Sequence, residues 1–248
     1  MYFWKCWRDR RTDFISFLIV VSVICLLLTI VIAKTEGLTG VRKGTPAAAL
    51  RAWSLAPEIV LGVCASLFIF FTALTLGASG VGEEFKERTA DFLLARPRRR
   101  RYWVWMGWCA GVCELLVMVF LAVVATFGTL TYLSGYVYTW RLLATTLPLI
   151  VGGAVVYGLA YLMTVAARSG RQGLSYGIGI LFLDLLLPIA VHQYWKVNFP
   201  SVLSFMLAGC KWATSPTEVF PDGGLVLWTL IALAFPVAAQ LVLERAEV

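Results

Sequence analysis

The chain is poor in the residues that chemistry at a soluble site draws on. Charged residues make up 14% of its 248 positions, and His192 is its single histidine. The six cysteines include no CxxC or CxxCH pair. Cys109 and Cys113 share a helix face but have no companion ligands, so a metal site finds no support. The cysteines read as small packing residues, and only Cys210 falls on the outer side in the topology derived below, which leaves no disulfide to form there. No GxxxxGK[ST] segment occurs, so the chain lacks the loop by which ATP is usually bound and hydrolysed. His192, near the outer end of an apolar stretch, reads as an interface residue. On one helix it lies about 12 Å along and about 80° around from Asp184, too far for an acid–base pair.

What the chain has in excess is apolar length. Hydrophobic residues make up 60% of the sequence, too many for a soluble domain of this size. A spanning helix needs about 20 mostly apolar residues, and six stretches qualify: Phe14 to Ala33, Ile59 to Val81, Val104 to Leu133, Leu142 to Ala167, Gly173 to Tyr194 and Gly223 to Leu243. The third is long enough to tilt or to extend beyond the hydrocarbon. The first is longer than a signal-peptide core and lacks a convincing cleavage site, so it is expected to be retained. Residues 1–248 thus read as one all-α integral membrane domain of six spans. With the N-terminus inside, 14 of the 21 Lys and Arg residues are cytoplasmic, a bias that puts both termini in the cytosol. The net charge of +7 has the same origin and does not point to nucleic acid.

Between the second and third stretches runs GEEFKERTADFLLARPRRRRYWVWMGW. Placed on a helix, Phe85, Thr89, Phe92 and Leu93 share one face, while Glu84, Glu87, Arg88 and Asp91 lie around the rest. Pro97 closes that helix, because the residue before a proline is pushed out of the α region. A short amphipathic helix between two spans offers a grip to a cytosolic partner. Arg98, Arg99, Arg100 and Arg101, followed by Tyr102, Trp103 and Trp105, read as a headgroup anchor with an aromatic belt. Ahead of the first span, Phe3, Trp4 and Trp7 gather on one side of a short helix with Lys5, Arg8 and Asp9 on the other, as in a helix lying in the interface. Val202 to Leu207 is apolar yet too short to span, so it is expected to re-enter or to lie in the interface.

In order and spacing, Glu87, Thr89, Asp91, Phe92, Leu93, Leu94, Pro97, Arg100, Arg101 and Gly107 resemble the coupling region of ABC type-2 transporter permeases. That family has an acidic residue, Gly-Thr, another acid, a Phe/Leu run, a proline, an arginine cluster and Gly-Lys between its second and third spans. Arg88 stands where the family has glycine and Trp108 where it has lysine. An N-terminal elbow helix is a second, weaker point of similarity. The resemblance implies a coupling surface made of Phe85, Glu87, Thr89, Asp91, Phe92, Leu93, Leu94 and Pro97. It also implies a cytosolic ABC ATPase that binds ATP and Mg, a second permease copy or a paralogue, and a place in the cell (inner) membrane among lipids. No cofactor is expected in this chain itself, and it is not expected to be an enzyme.

Two acids fall within spans. Asp184 is at the centre of the fifth and Glu114 about 15 Å into the third, where an ionised carboxylate costs on the order of 2.5 to 3.5 kcal/mol. Each must be protonated, paired or wetted, and each is a candidate either for a transport pathway or for a hydrogen bond to a neighbouring helix. Pro148, Pro188 and Pro236 interrupt spans and are candidate hinges. Gly107 with Gly111, and Gly173 with Gly177, have the spacing of close helix contacts. The expected function is that of the membrane subunit of an ATP-driven exporter; the alternative is a non-transporting subunit that anchors a complex or transmits ATPase motion.

Overall fold

A computed structural model describes residues 2–35, 58–86, 97–134, 139–196, 201–214 and 222–245. It contains α1 (Tyr2–Thr35), a π-helical segment (Glu58–Ala65) that passes directly into α2 (Ser66–Lys86), then α3 (Pro97–Ser134) and α4 (Thr139–Ala167). α5 (Gly170–Trp195), α6 (Val202–Thr214) and α7 (Asp222–Arg245) complete it. Six of these helices are long and apolar enough to cross a membrane, over Arg11–Lys34, Ile59–Ser79, Arg101–Leu133, Thr145–Ala167, Gly170–Tyr194 and Gly223–Arg245. They coincide with the six stretches expected from composition, and the chain is a multi-pass helical membrane protein.

Two expectations about element boundaries need correcting. The elbow is not a separate element: one helix runs from Tyr2 to Thr35, because that segment holds no glycine or proline to interrupt it. Trp7 instead packs edge-on against Phe14, its ring centroid 5.3 Å away. Phe85 belongs to the last turn of α2 and not to a detached helix. Pro97 opens α3, where its fixed φ and missing N–H suit a first turn; residues 87–96, the helix it is expected to close, lie outside the described residues. At 38 residues, α3 is about 57 Å long, well beyond the roughly 30 Å of a hydrocarbon core.

The six long helices alternate in direction and gather Pro97, Arg168 and Arg245 at one end, called here the basic end; Trp195 and Asp222 lie at the far end. α4 is the hub, since it packs on α2, α3, α5, α6 and α7. Of its most apolar stretch 67% is buried, against 6% for α5. Small residues permit this. A Cβ on Gly77 of α2 would come within 2.8 Å of the Ala160 Cβ, and one on Gly158 within 2.8 Å of the Phe235 ring of α7.

The tie between α3 and α4 uses one of the two glycine pairs singled out above. Gly107 and Gly111 leave room for the rings of Tyr161 and Tyr157, both fully buried. The Tyr157 hydroxyl donates to the Gly107 carbonyl at 3.0 Å and the Tyr161 hydroxyl to the Val104 carbonyl at 3.1 Å. Interhelical hydrogen bonds in membranes contribute on the order of 1 kcal/mol each, so the seated rings outweigh the hydroxyls. Tyr157→Phe is therefore expected to lower unfolding free energy in mixed micelles by about 1 kcal/mol and to leave a monodisperse protein. Gly111→Val drives a side chain into the Tyr157 ring, and size-exclusion chromatography should show it aggregated; equal behaviour of the two variants would refute the packing.

Candidate functional site

α6 is only 13 residues long, about 20 Å, and its N-terminus is deep in the protein. Gly152 of α4 faces Met206 and Val202, whereas Pro148, nearer the far end, faces Gly209. α6 therefore runs antiparallel to α4, rising toward the far end. Asp184 is eleven residues before the end of α5 at Trp195, or about 17 Å along the helix, and it meets the start of α6. The chain leaves α5 at the far end, turns back and begins α6 at mid-depth, which is the re-entrant form of the short apolar segment.

A helix that starts there has N–H groups with no water to receive them. All of the first three are met. Val202 N–H donates to Asp184 Oδ1 at 3.1 Å and Leu203 N–H to Oδ2 at 3.3 Å. Ser204 N–H donates to Ser201 Oγ at 3.0 Å, and Ser201 N–H donates back to Ser204 Oγ at 3.2 Å. The serines form a reciprocal capping box, and the carboxylate adds a charge suited to the positive end of a helix dipole. Asp184 thus has a structural partner. It does not line the cavity described next, and neither does Glu114, which is buried in α3. α3 and α5 share no substantial packing, so the two candidate pathway acids are not brought together.

α6 is seated by small residues on both sides. Val202, Phe205, Met206 and Cys210 are buried on one face. A Cβ on Gly62, in the π-helical segment, would lie 2.9 Å from Leu207 Cδ1 and 3.3 Å from the Cys210 Cβ. Pro148, a candidate hinge, instead carries Gly209 against its ring. Ser201 and Ser204 escaped the sequence reading, although a serine just before an apolar run is a helix-start signal.

At the basic end a cavity of about 700 Å³ is walled by Thr75, Ser79, Gly82, Phe85, Arg168 and Arg171, among others. It sits where the turn from α4 to α5 meets α2. Arg168 takes a left-handed conformation, φ 49°, and a Cβ on Gly82 would lie 3.0 Å from the Gly170 nitrogen, so the backbones touch. Phe85 is half-buried and meets Trp103 edge-on at 6.1 Å. Trp103 is 2% exposed, which corrects its reading as a lipid anchor. It lies about 100° around the helix from Tyr102, and Tyr102 keeps the exposed position. Trp108, where the resemblance expects lysine, is buried too.

Arg101 makes an exposed ion pair with Glu244 of α7 at 3.6 Å, a contact of little energy. Arg98, Arg99 and Arg100 lie in the first turn of α3, with side chains outside the described residues. Glu87, Thr89, Asp91, Phe92, Leu93 and Leu94 of the expected coupling helix also lie outside the described residues. His192 is exposed near the end of α5.

The cap yields a prediction for its serine half. Ser201→Ala removes the acceptor for Ser204 N–H and should cost about 1 kcal/mol of unfolding free energy, while Ser201→Thr should restore most of it. No difference between the two variants in chemical denaturation would contradict the capping geometry.

No curated protein matches the chain. One family model does, over residues 38–186, a segment from ahead of the π-helical turn through Asp184 that stops short of α6. That match takes in more than half of the sequence, and the chain belongs to the family described as "Protein of unknown function (DUF2705)".

Proposed function

We propose that this chain is the membrane subunit of an ATP-driven exporter of the ABC type-2 kind, working with a cytosolic ATPase that supplies ATP and Mg chemistry and with a second permease copy or paralogue. In this reading the basic end is cytosolic, both termini are inside, and the protein resides in the cell (inner) membrane. The lysine and arginine bias supports that orientation.

The observation that carries the proposal is the joint at the basic end. Segment 87–96, which holds the amphipathic pattern, is bracketed by the end of α2 and the start of α3. Those two helices meet through Phe85 and Trp103. A push on the segment would move both helices together. α3 is tied to α4 by Tyr157 and Tyr161, and α4 touches α5, α6 and α7. Closure of the ATPase would thus be passed to the far end as a rigid-body change between two packings, driven by differential binding of nucleotide to the partner.

Two tests follow. Phe92→Glu together with Leu93→Glu should leave the protein inserted and folded while abolishing co-purification with the ATPase, the loss expected of buried interface anchors at roughly 2 kcal/mol or more. An intact complex from that double variant would remove the main support. Where the complex forms, ATP-dependent flux in proteoliposomes is expected, and ATPase assembly without flux would favour an anchoring subunit instead. For orientation, a cysteine at Thr217 should react with a membrane-impermeant reagent in intact cells and one at Lys86 should not; the reverse would invert the topology.

A further inference from the structure

α5 is held very differently along its two halves. Near the basic end, Gly173 backs directly onto Thr164 of α4, and a Cβ on Gly177 would lie 2.7 Å from Leu74 of α2. Both glycines are buried. Past them, none of the described residues from 178 to 194 is buried. Leu185 is the one hydrophobic residue of that stretch, among those described, packed against the core. The Asp184 carboxylate on α6 lies beside it. Gly179 has open space around it, and Pro188 has no N–H to offer the Asp184 carbonyl, so the backbone on either side of the link is easily bent. α6, in contrast, is wedged between α4 and the π-helical segment through Gly62, Gly152 and Gly209.

We propose that Asp184 is a latch between a hinged arm, the far half of α5, and a fixed post, α6, and that its release lets the arm swing about Gly173–Gly177 and open a gap between the two helices. Closed, both carboxylate oxygens accept N–H groups of α6. Open, the carboxylate and the Val202 and Leu203 N–H groups must all be hydrated, because in a dry site each would be left unsatisfied. The open gap is therefore wet, and the device has two discrete states instead of a continuum of tilts. The latch is a property of the chain alone and does not depend on the exporter reading; in an exporter it would gate the far end.

The test is a pair of spin-label distances in the full chain, with its six native cysteines replaced, placed in nanodiscs without any ATPase and diluted with unlabelled protein. One pair joins Gln193 to Tyr132, both exposed near the far end. The control pair joins Gln172 to Tyr102, both exposed near the basic end. From Gly177 to Gln193 the arm is about 24 Å long, so a tilt of about 15° moves its tip by about 6 Å. Asp184→Ala should add a second far-end population displaced by about that distance and leave the basic-end distribution unchanged. Asp184→Asn, whose amide offers one accepting oxygen, should give a smaller share of the same population. The latch is overturned if Asp184→Ala leaves the far-end distances as in the parent chain. It is equally overturned if both pairs shift together, since α5 would then move as a whole or the bundle would have come apart.

Discussion

A helix that begins inside a bilayer must find acceptors for its first N–H groups within the protein, and in this chain that requirement is met by Asp184 and Ser201 at the start of α6. Much of the far half of the bundle depends on it. α6 occupies the space between α4 and the π-helical opening of the second span, touching both through glycines, and Phe205 carries its contact on to Trp228 of α7. Without the cap, three donors would face hydrocarbon at a cost of the order of 1 to 3 kcal/mol each. A carboxylate that would be a liability on its own at mid-depth is thereby matched to the positive end of a helix.

The near half depends on close backbone approach. Gly82 against Gly170, Gly77 against Ala160, and the tyrosines of α4 over Gly107 and Gly111 leave little room for adjustment. Association of helices in lipid gains nothing from the hydrophobic effect, so small residues and a few hydrogen bonds must supply it. The outcome is a stiff frame of α2, α3 and α4, with α1, α5 and α7 largely exposed around it. A displacement at the Phe85–Trp103 joint has a continuous packed route to α6, while the far half of α5, among the described residues, is held by Leu185 against the core and by Asp184 on the start of α6.

The six spans were legible because membrane crossing is a one-dimensional requirement, about 20 apolar residues in a row. The depth of Asp184 was equally plain from its place in the fifth stretch. Its partner was not, since Val202 and Leu203 reach it only after the chain has reversed, and nothing local encodes that return. The Gly107 and Gly111 spacing signalled close contact, yet Tyr157 and Tyr161 as its occupants required the relative rotation of α3 and α4. Trp103 was misread for a related reason: a run of arginines and aromatics looks like a belt in sequence, but successive residues on a helix point about 100° apart, so Trp103 turns inward while Tyr102 stays exposed. Expectation for Phe85 and Trp7 stumbled on boundaries, because α1 holds no glycine or proline to end it and α2 runs on through Gly77, Gly80 and Gly82 to Lys86.

Amide hydrogen exchange across residues 201–205, in nanodiscs, tests the capped re-entrant helix most directly. With the carboxylate in place, the Val202 and Leu203 amides should exchange slowly. In Asp184→Ala both should speed up by an order of magnitude or more, while the Ser204 amide, held by Ser201 Oγ, changes far less. Fast exchange at Val202 and Leu203 in the unaltered chain would mean that α6 starts in water, and the arrangement derived for the far half would be wrong.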